Sequence, residues 1–244
     1  MKPFFEELDY QHTPMGPLIL QRRRMLSLKG IEVYEVKLGE QYLMSSLFYA
    51  AETALADIAF EKLSGRNWEV AVGGLGLGYT AAAALQYDQV SRLVVIEALG
   101  PVIDWHRRGI VPNGQTLTGD DRCVFYHADF FALARQSGFD PHTPGRRFDA
   151  ILLDIDHTPD FLLNESHGGF YSTDGLERVK SFLKPGGVFA LWSNDAPEED
   201  FLRVLSGVFA STEGRVIEFD NPLQGTKTTN GIYVAAAKDP PPLR

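Results

Sequence analysis

The hydrophobic period of this chain changes along its length. In the first 50 residues, short apolar runs alternate with polar turns. Here "GPLILQRR" and "GIEVYEVKL", separated by "RMLSLKG", read as the two strands of a hairpin. The period then becomes helical. In "SSLFYAAETALADIAFEKL", Leu47, Ala50, Ala51, Ala54, Leu55, Ile58 and Ala59 recur on one face, and Gly65 is a stop signal. Strand-like runs follow at "EVAVG", "RLVVIEA", "RCVFYHA", "FDAILLDID" and "GVFALWS". Between them lie helical stretches at Tyr79 to Gln86, Pro101 to Arg107, Phe130 to Gln136 and Thr173 to Leu183. Strands apolar on both faces belong to a parallel sheet covered by helices on both sides. Pro185 in "KPGG" closes the last of those helices. A further helix is predicted near Asp195, with Asp195 as its cap and Glu198 as the reciprocal partner.

The pattern ends differently. "RVIEFDNP" and "NGIYVAAA" read as an antiparallel hairpin joined by the polar loop "LQGTKTTNG", and "KDPPPLR" reads as a loose tail. The expected organisation is a β-hairpin region over 1–46, an α/β domain over 47–237, and a tail over 238–244.

Composition narrows the partners. The net charge of −9 opposes a nucleic-acid surface, which needs clustered Lys and Arg, and it suits a cationic ligand. The run Arg22, Arg23 and Arg24 reads as a solvated hairpin face. The lone Cys123 excludes a disulfide within the chain, the usage expected of a reducing compartment. The start, "MKPFFEELDY", carries neither a signal-peptide pattern nor a membrane span, so a cytoplasmic location is expected.

Ligands of open parallel sheets bind at the carboxyl ends of the strands, so the candidate chemistry sits there. The first strand runs into "VGGLGLGYT", whose bare backbone at Gly74, Gly76 and Gly78 admits close approach and opens a helix N-terminus. The second ends at Glu97, placed to accept from the vicinal hydroxyls of a ribose. The third ends in "HADFF", where Asp129 can accept from an exocyclic amine or cap a helix. The fourth ends in "ILLDIDHTPD", where Asp154 and Asp156 are expected on one face, able to bind a cation or take a proton. The segment "HTPDFLLNESHGGFY" reads as a lid or a surface loop.

These pieces, in this order, resemble the spermidine synthase (polyamine aminopropyltransferase) family over residues 15 to 236. The resemblance rests on "VGGLGLGYT", "VIEALGPVI", "HADFF", "FDAILLDIDHTP" and "FYSTDGLERVKSFLKPGGVFALW". It implies a Rossmann-like class I methyltransferase fold: a seven-stranded sheet ending in an antiparallel hairpin, with a small N-terminal β-hairpin region. It further implies that Glu97 holds the ribose, Asp129 the adenine amine, and Asp154 the attacking amine of the acceptor. Tyr42, Tyr49, His157 and Tyr171 become candidates for the acceptor site, and a homodimer is suggested.

The sequence also departs from that pattern. Where the family's glycine loop carries an aspartate that pairs with the amine of decarboxylated S-adenosylmethionine, this chain has Leu77, or Gly76 if the alignment slides by one. His157 stands where a second catalytic-segment acid is expected, with Asp156 one residue away. Leu99 replaces an acid beyond the ribose glutamate. A loop of N–H groups without a carboxylate suits a ligand carboxylate. The donor is therefore S-adenosylmethionine or its decarboxylated form, and no metal is implied. Three readings follow: an aminopropyltransferase-like enzyme acting on an amine, a methyltransferase, or a nucleoside-binding module without catalysis.

Overall fold

The computed structural model describes residues 4–237, so the expected tail lies outside the described residues. Two sheets are present: four strands in the order β1-β2-β3-β4, and seven in the order β10-β11-β9-β8-β5-β6-β7.

The N-terminal sheet is larger than the hairpin expected. Strands β2 (Gly16–Met25) and β3 (Ile31–Leu38) form that hairpin, flanked by β1 (Phe5–Thr13) and β4 (Gln41–Ser45). Strand β1 escapes a pattern reading because it is an edge strand with no fully buried position in "FEELDYQHT". The arginine run is not merely solvated. Arg22 pairs across the strands with Glu6, and Arg23 with the buried Glu35.

The large sheet follows the sequence pattern closely. Strands β5 (Trp68–Gly73), β6 (Val90–Glu97), β7 (Cys123–His127), β8 (Phe148–Leu153) and β9 (Leu183–Ser193) are parallel. Helices α1 (Ala50–Phe60), α2 (Tyr79–Leu85), α3 (Gly100–Arg107) and the short α4 (Gly114–Thr118) pack on one face. On the other lie α5 (Phe130–Arg135), α6 (Thr173–Ser181) and α7 (Glu199–Val208). Alternation along β5 divides the two cores: Val70 and Val72 face the first group, Ala71 the second. Strand β5 pairs with β6 on one side and β8 on the other, so the strand order reverses there. This is the switch point at which open α/β sheets place ligands.

Three local expectations need correction. Helix α6 stops at Ser181, and "KPGG" lies inside β9, where the pairing register to β8 shifts. Helix α7 starts at Glu199 after Glu198, without a side-chain cap, so Asp195 is not its cap. The polar loop "LQGTKTTNG" is mostly strand. Strands β10 (Ser211–Asn221) and β11 (Thr226–Ala236) pair along their full length, from Ser211 with Ala236 to Asn221 with Thr226. Only Ile217 to Asn221 and Thr226 to Asn230 run past the edge of β9, which pairs with β11 from Gly231 onward. The β11 half of that extension, Thr226 to Asn230, is polar throughout and gives no strand signal, whereas the β10 half alternates through Ile217, Glu218, Phe219 and Asp220.

Candidate active site

Two cavities adjoin at the carboxyl edge of the large sheet. The larger, of about 650 Å³, is lined among others by Tyr42 and Met44 of β4, Glu52 of α1, the glycine loop, and Thr228 and Asn230 of β11. The smaller, of about 280 Å³, lies between the glycine loop, Glu97, Asp129 and His167. They share Leu43, Met44, Gly76, Asp154, Ile155 and Leu163. Among the described residues, Asp154 is the one titratable side chain common to both, and no Lys or Arg lines either.

The glycine loop is shaped by the protein's own packing. At Gly74, φ is +91° and a Cβ would lie 2.1 Å from the carbonyl oxygen of Asp154. At Gly78, φ is +84° and a Cβ would lie 2.7 Å from the ring of His106. Burial pushes His106 down to about 4, so it is neutral and donates from Nε2 to the Gly76 carbonyl at 2.9 Å. Leu77 is only 2% exposed and its side chain belongs to the α1–α4 core. The loop therefore fixes its own backbone and offers no side-chain charge.

Glu97 faces the smaller cavity at the end of β6. Its Oε2 accepts from the Leu75 N–H at 3.0 Å and its Oε1 from the Leu99 N–H at 2.7 Å. Burial raises its pKa, and backbone N–H groups of Leu99, Leu75, Gly76 and Ala98 oppose that rise. Each oxygen keeps lone-pair capacity for a further donor. Asp129 caps α5 by accepting from the Ala132 N–H at 3.0 Å while lining the same cavity.

Asp154 follows β8 directly. Its Oδ2 accepts from the Thr80 hydroxyl at 2.8 Å, and the same hydroxyl reaches the Glu52 carbonyl at 3.2 Å. Burial raises Asp154 to about 6, against the Thr80 hydrogen bond. Burial and then the facing Asp154 charge raise Glu52 to about 8. The pair thus holds one proton at neutral pH. Sequence reasoning missed Glu52, because an acid in a first helical turn is already explained by the helix dipole.

A stability signature follows from Glu52. Its folded-state pKa lies above the unfolded one, so the native state binds more protons between about pH 5 and 8. Its stabilising contribution is present below its ordinary pKa and is lost as pH rises toward 8. The thermal midpoint of Glu52→Gln should therefore fall less than that of wild type across this window. Scanning calorimetry at several pH values checks this.

Asp154 and Asp156 do not share a face as alternation suggested, because β8 ends at Leu153 and the chain turns between them. Asp156 is 1% exposed and lines neither cavity. It accepts from the Leu163 N–H at 2.8 Å, from His167 Nδ1 at 2.9 Å and from the Tyr171 hydroxyl at 2.7 Å. It thereby pins the segment read as a lid, and His167 stacks on Phe131 at 3.8 Å. Burial and Asp156 keep the Tyr171 hydroxyl well above its usual range.

The acceptor candidates separate. Tyr42 and His157 line the larger cavity. Tyr49 stacks on Tyr79 at 4.4 Å and lines neither cavity, and Tyr171 is buried against Asp156 away from both. Asp195, expected as a cap, lines the larger cavity instead, together with Asn194 and residues of the β10–β11 extension.

No protein-family model matches the chain. Among solved structures, it is similar to a spermidine synthase in complex with the transition state analogue AdoDATO, with a TM-score of 0.71 at 18% identity. That likeness covers 97% of this chain and 75% of the other. The spermidine synthase of Thermotoga maritima gives a TM-score of 0.71 at 17% identity, over 97% of this chain and 74% of that one. The four-stranded antiparallel sheet followed by a seven-stranded sheet with an antiparallel end is thus the fold of the spermidine synthases, on the class I methyltransferase plan.

Proposed function

We propose that this chain is a transferase that moves an aminopropyl-type group from an S-adenosylmethionine-derived sulfonium to an amine. The observation that carries this reading is the position of Asp154 where the two cavities meet. One solved structure of the same fold, at 18% identity, is in complex with AdoDATO. In this reading the nucleoside occupies the cavity of Glu97 and Asp129, and the acceptor amine occupies the cavity of Tyr42, His157 and Asp195. Among the described residues the walls are lined by acids and by no Lys or Arg, which suits a cationic donor and a cationic acceptor.

The chemistry needs little from the protein beyond alignment and a base. The amine lone pair forms the new C–N bond, the C–S bond breaks, and its electron pair stays on sulfur as a neutral thioether. The amine proton goes to Asp154. At about 6, Asp154 is ionised at neutral pH and near the optimum for a general base. Thr80 fixes Oδ2 and leaves Oδ1 for the amine. Holding nucleophile and carbon in line is worth about 7–11 kcal/mol.

The released nucleoside tests the reaction class. Mass spectrometry of incubations with each sulfonium and a set of diamines should detect methylthioadenosine. S-adenosylhomocysteine would instead establish methyl transfer, the reading favoured by a glycine loop without an acid. Glu97→Gln supplies a second test. It removes the charge that strengthens hydrogen bonds to ribose hydroxyls, about 1.5–3 kcal/mol each, and turns an amide NH₂ toward a backbone N–H. Methylthioadenosine affinity should drop at least about tenfold by calorimetry. Unchanged affinity in the folded variant would remove Glu97 from the ribose site.

A further inference from the structure

We propose a second ligand site on this chain, a cavity for a small organic ammonium between the N-terminus of α7 and Thr158 to Asp160, outside both cavities of the proposed active site. The site stands whatever reaction those two cavities perform.

The cavity measures about 320 Å³. It lies on the α5–α7 side of the large sheet, because Tyr171, Phe201 and Tyr233 of its lining belong to that core. Among the described residues, only Asp195 of its lining also lines the larger cavity, and none lines the smaller.

The rim is acidic. Asp160 stands on one loop, and Asp195 and Glu198 on another, all three exposed. Among the described residues, none of the three has a Lys, Arg or His within ion-pair distance, and no residue of those types lines the cavity. The fourth acid, Asp200, is paired with Arg203. The helix dipole accounts for Glu199 and Asp200 in the first turn of α7, but not for Asp160. The rim charges converge on one hydroxyl. Burial raises the Tyr233 phenol against the Glu198 N–H, and the charges of Glu198, Asp160 and Asp195 add to that rise. The Tyr233 oxygen accepts from the Glu198 N–H at 2.8 Å.

The floor carries an independent observation. Ser193 is 1% exposed, and its Oγ has no hydrogen-bond partner. Ser193 follows Leu191 on the α5–α7 face of β9, so its side chain is directed to this cavity and away from the glycine loop. Buried hydroxyls are normally paired, and an N–H donor seated in the cavity supplies the missing partner. Around Ser193, Phe201 meets Tyr233 at 5.0 Å and 87°, and Tyr171 at 5.9 Å and 67°.

These features select the ligand. Unpaired carboxylates repel an anion. Among the described residues, no three His, Cys, Asp or Glu side chains are grouped to hold a metal ion. The charge must therefore arrive on a larger ion with its own donors. An ammonium can donate to Ser193 and to the rim carboxylates while its alkyl part lies against the rings, which attract a cation.

Nitrogen–proton correlation spectra of the full chain, titrated with ethylammonium chloride at about pH 7, test this. Sodium chloride and magnesium chloride titrations are the controls. Backbone amides of Ser193, Ala196 and Tyr233 should shift saturably, with a Kd of about 1–10 mM, and should not respond to sodium. The double variant Asp160→Asn, Glu198→Gln should raise that Kd at least about fivefold. Ser193→Ala should raise it at least about threefold. The thermal midpoint of ligand-free Ser193→Ala should stay at or above that of wild type, because no hydrogen bond is lost. Non-saturable shifts, an equal response to sodium, or an unchanged Kd in the double variant would overturn the site. Tighter saturation by magnesium at the same amides would overturn the ligand class. Shifts confined to Leu77 and Asp154 would place the ammonium in the larger cavity and overturn a separate site.

Discussion

Asp154→Asn should lower turnover by about 10²–10⁴-fold, the contribution of a positioned general base. Its affinity for methylthioadenosine should stay within about twofold of wild type, because the nucleoside groups are held elsewhere, by Glu97 and Asp129 in the proposed arrangement. Asparagine keeps the size of the side chain and can still accept from Thr80, which donates to Oδ2 at 2.8 Å. What it loses is the ability to take the acceptor's proton. The split between chemistry and nucleoside binding matters most. A parallel loss of both would make Asp154 a structural support of the glycine loop, whose Gly74 sits against its carbonyl. Full activity in Asp154→Asn would move the base to another residue of the larger cavity. Asp156 is a poor replacement, since Leu163, His167 and Tyr171 already occupy its carboxylate.

The second large effect is on stability. Gly74→Ala places a methyl group 2.1 Å from the Asp154 backbone oxygen in a residue with φ of +91°. Neither neighbour is a flexible side-chain end, so the end of β5 and the turn after β8 must separate. Overpacking and left-handed strain together should cost about 3 kcal/mol. For a chain of this size that lowers the thermal midpoint by about 6–12 °C. Gly225→Ala is the control. Its φ is +66°, but its Cβ would meet nothing within 4 Å. It carries the strain without the collision and should cost about 1 kcal/mol. Equal losses in the two variants, measured by denaturant or thermal unfolding, would show that the close approach of β5 and β8 is not what requires Gly74.

The parallel core was legible because burial on both faces leaves nothing but apolar residues. Runs such as "AVG", "LVVIE" and "ILLD" admit few other readings. The acids at the strand ends were legible for the same reason, since a charge that follows such a run stands out. Edge structure was not legible. Strand β1 has no fully buried position and the β11 half of the extension, Thr226 to Asn230, is polar throughout, so neither carries a clear period-two signal. The two aspartates after β8 were misplaced relative to each other because alternation holds only within a strand, and β8 ends before either. Glu52 was invisible for another reason. Its role depends on α1 lying against α2 so that the helix reaches Thr80, a tertiary fact with no local trace. Leu77 was legible as an absence, and the structure adds that its side chain points into the core.

The larger cavity is closed by residues from far-apart regions of the chain: Tyr42 to Ser45 on one wall, Asn221 and Thr228 to Asn230 on another. During synthesis, N-terminal parts emerge and fold first. The N-terminal sheet and the glycine loop leave the ribosome long before the hairpin that completes the enclosure. In the proposed arrangement, a nascent chain therefore has no finished acceptor pocket until residues 219–230 have been made. Capture of a small amine by that pocket would report that the last hairpin has docked, and chains arrested upstream of residue 219 would neither bind the acceptor nor turn it over.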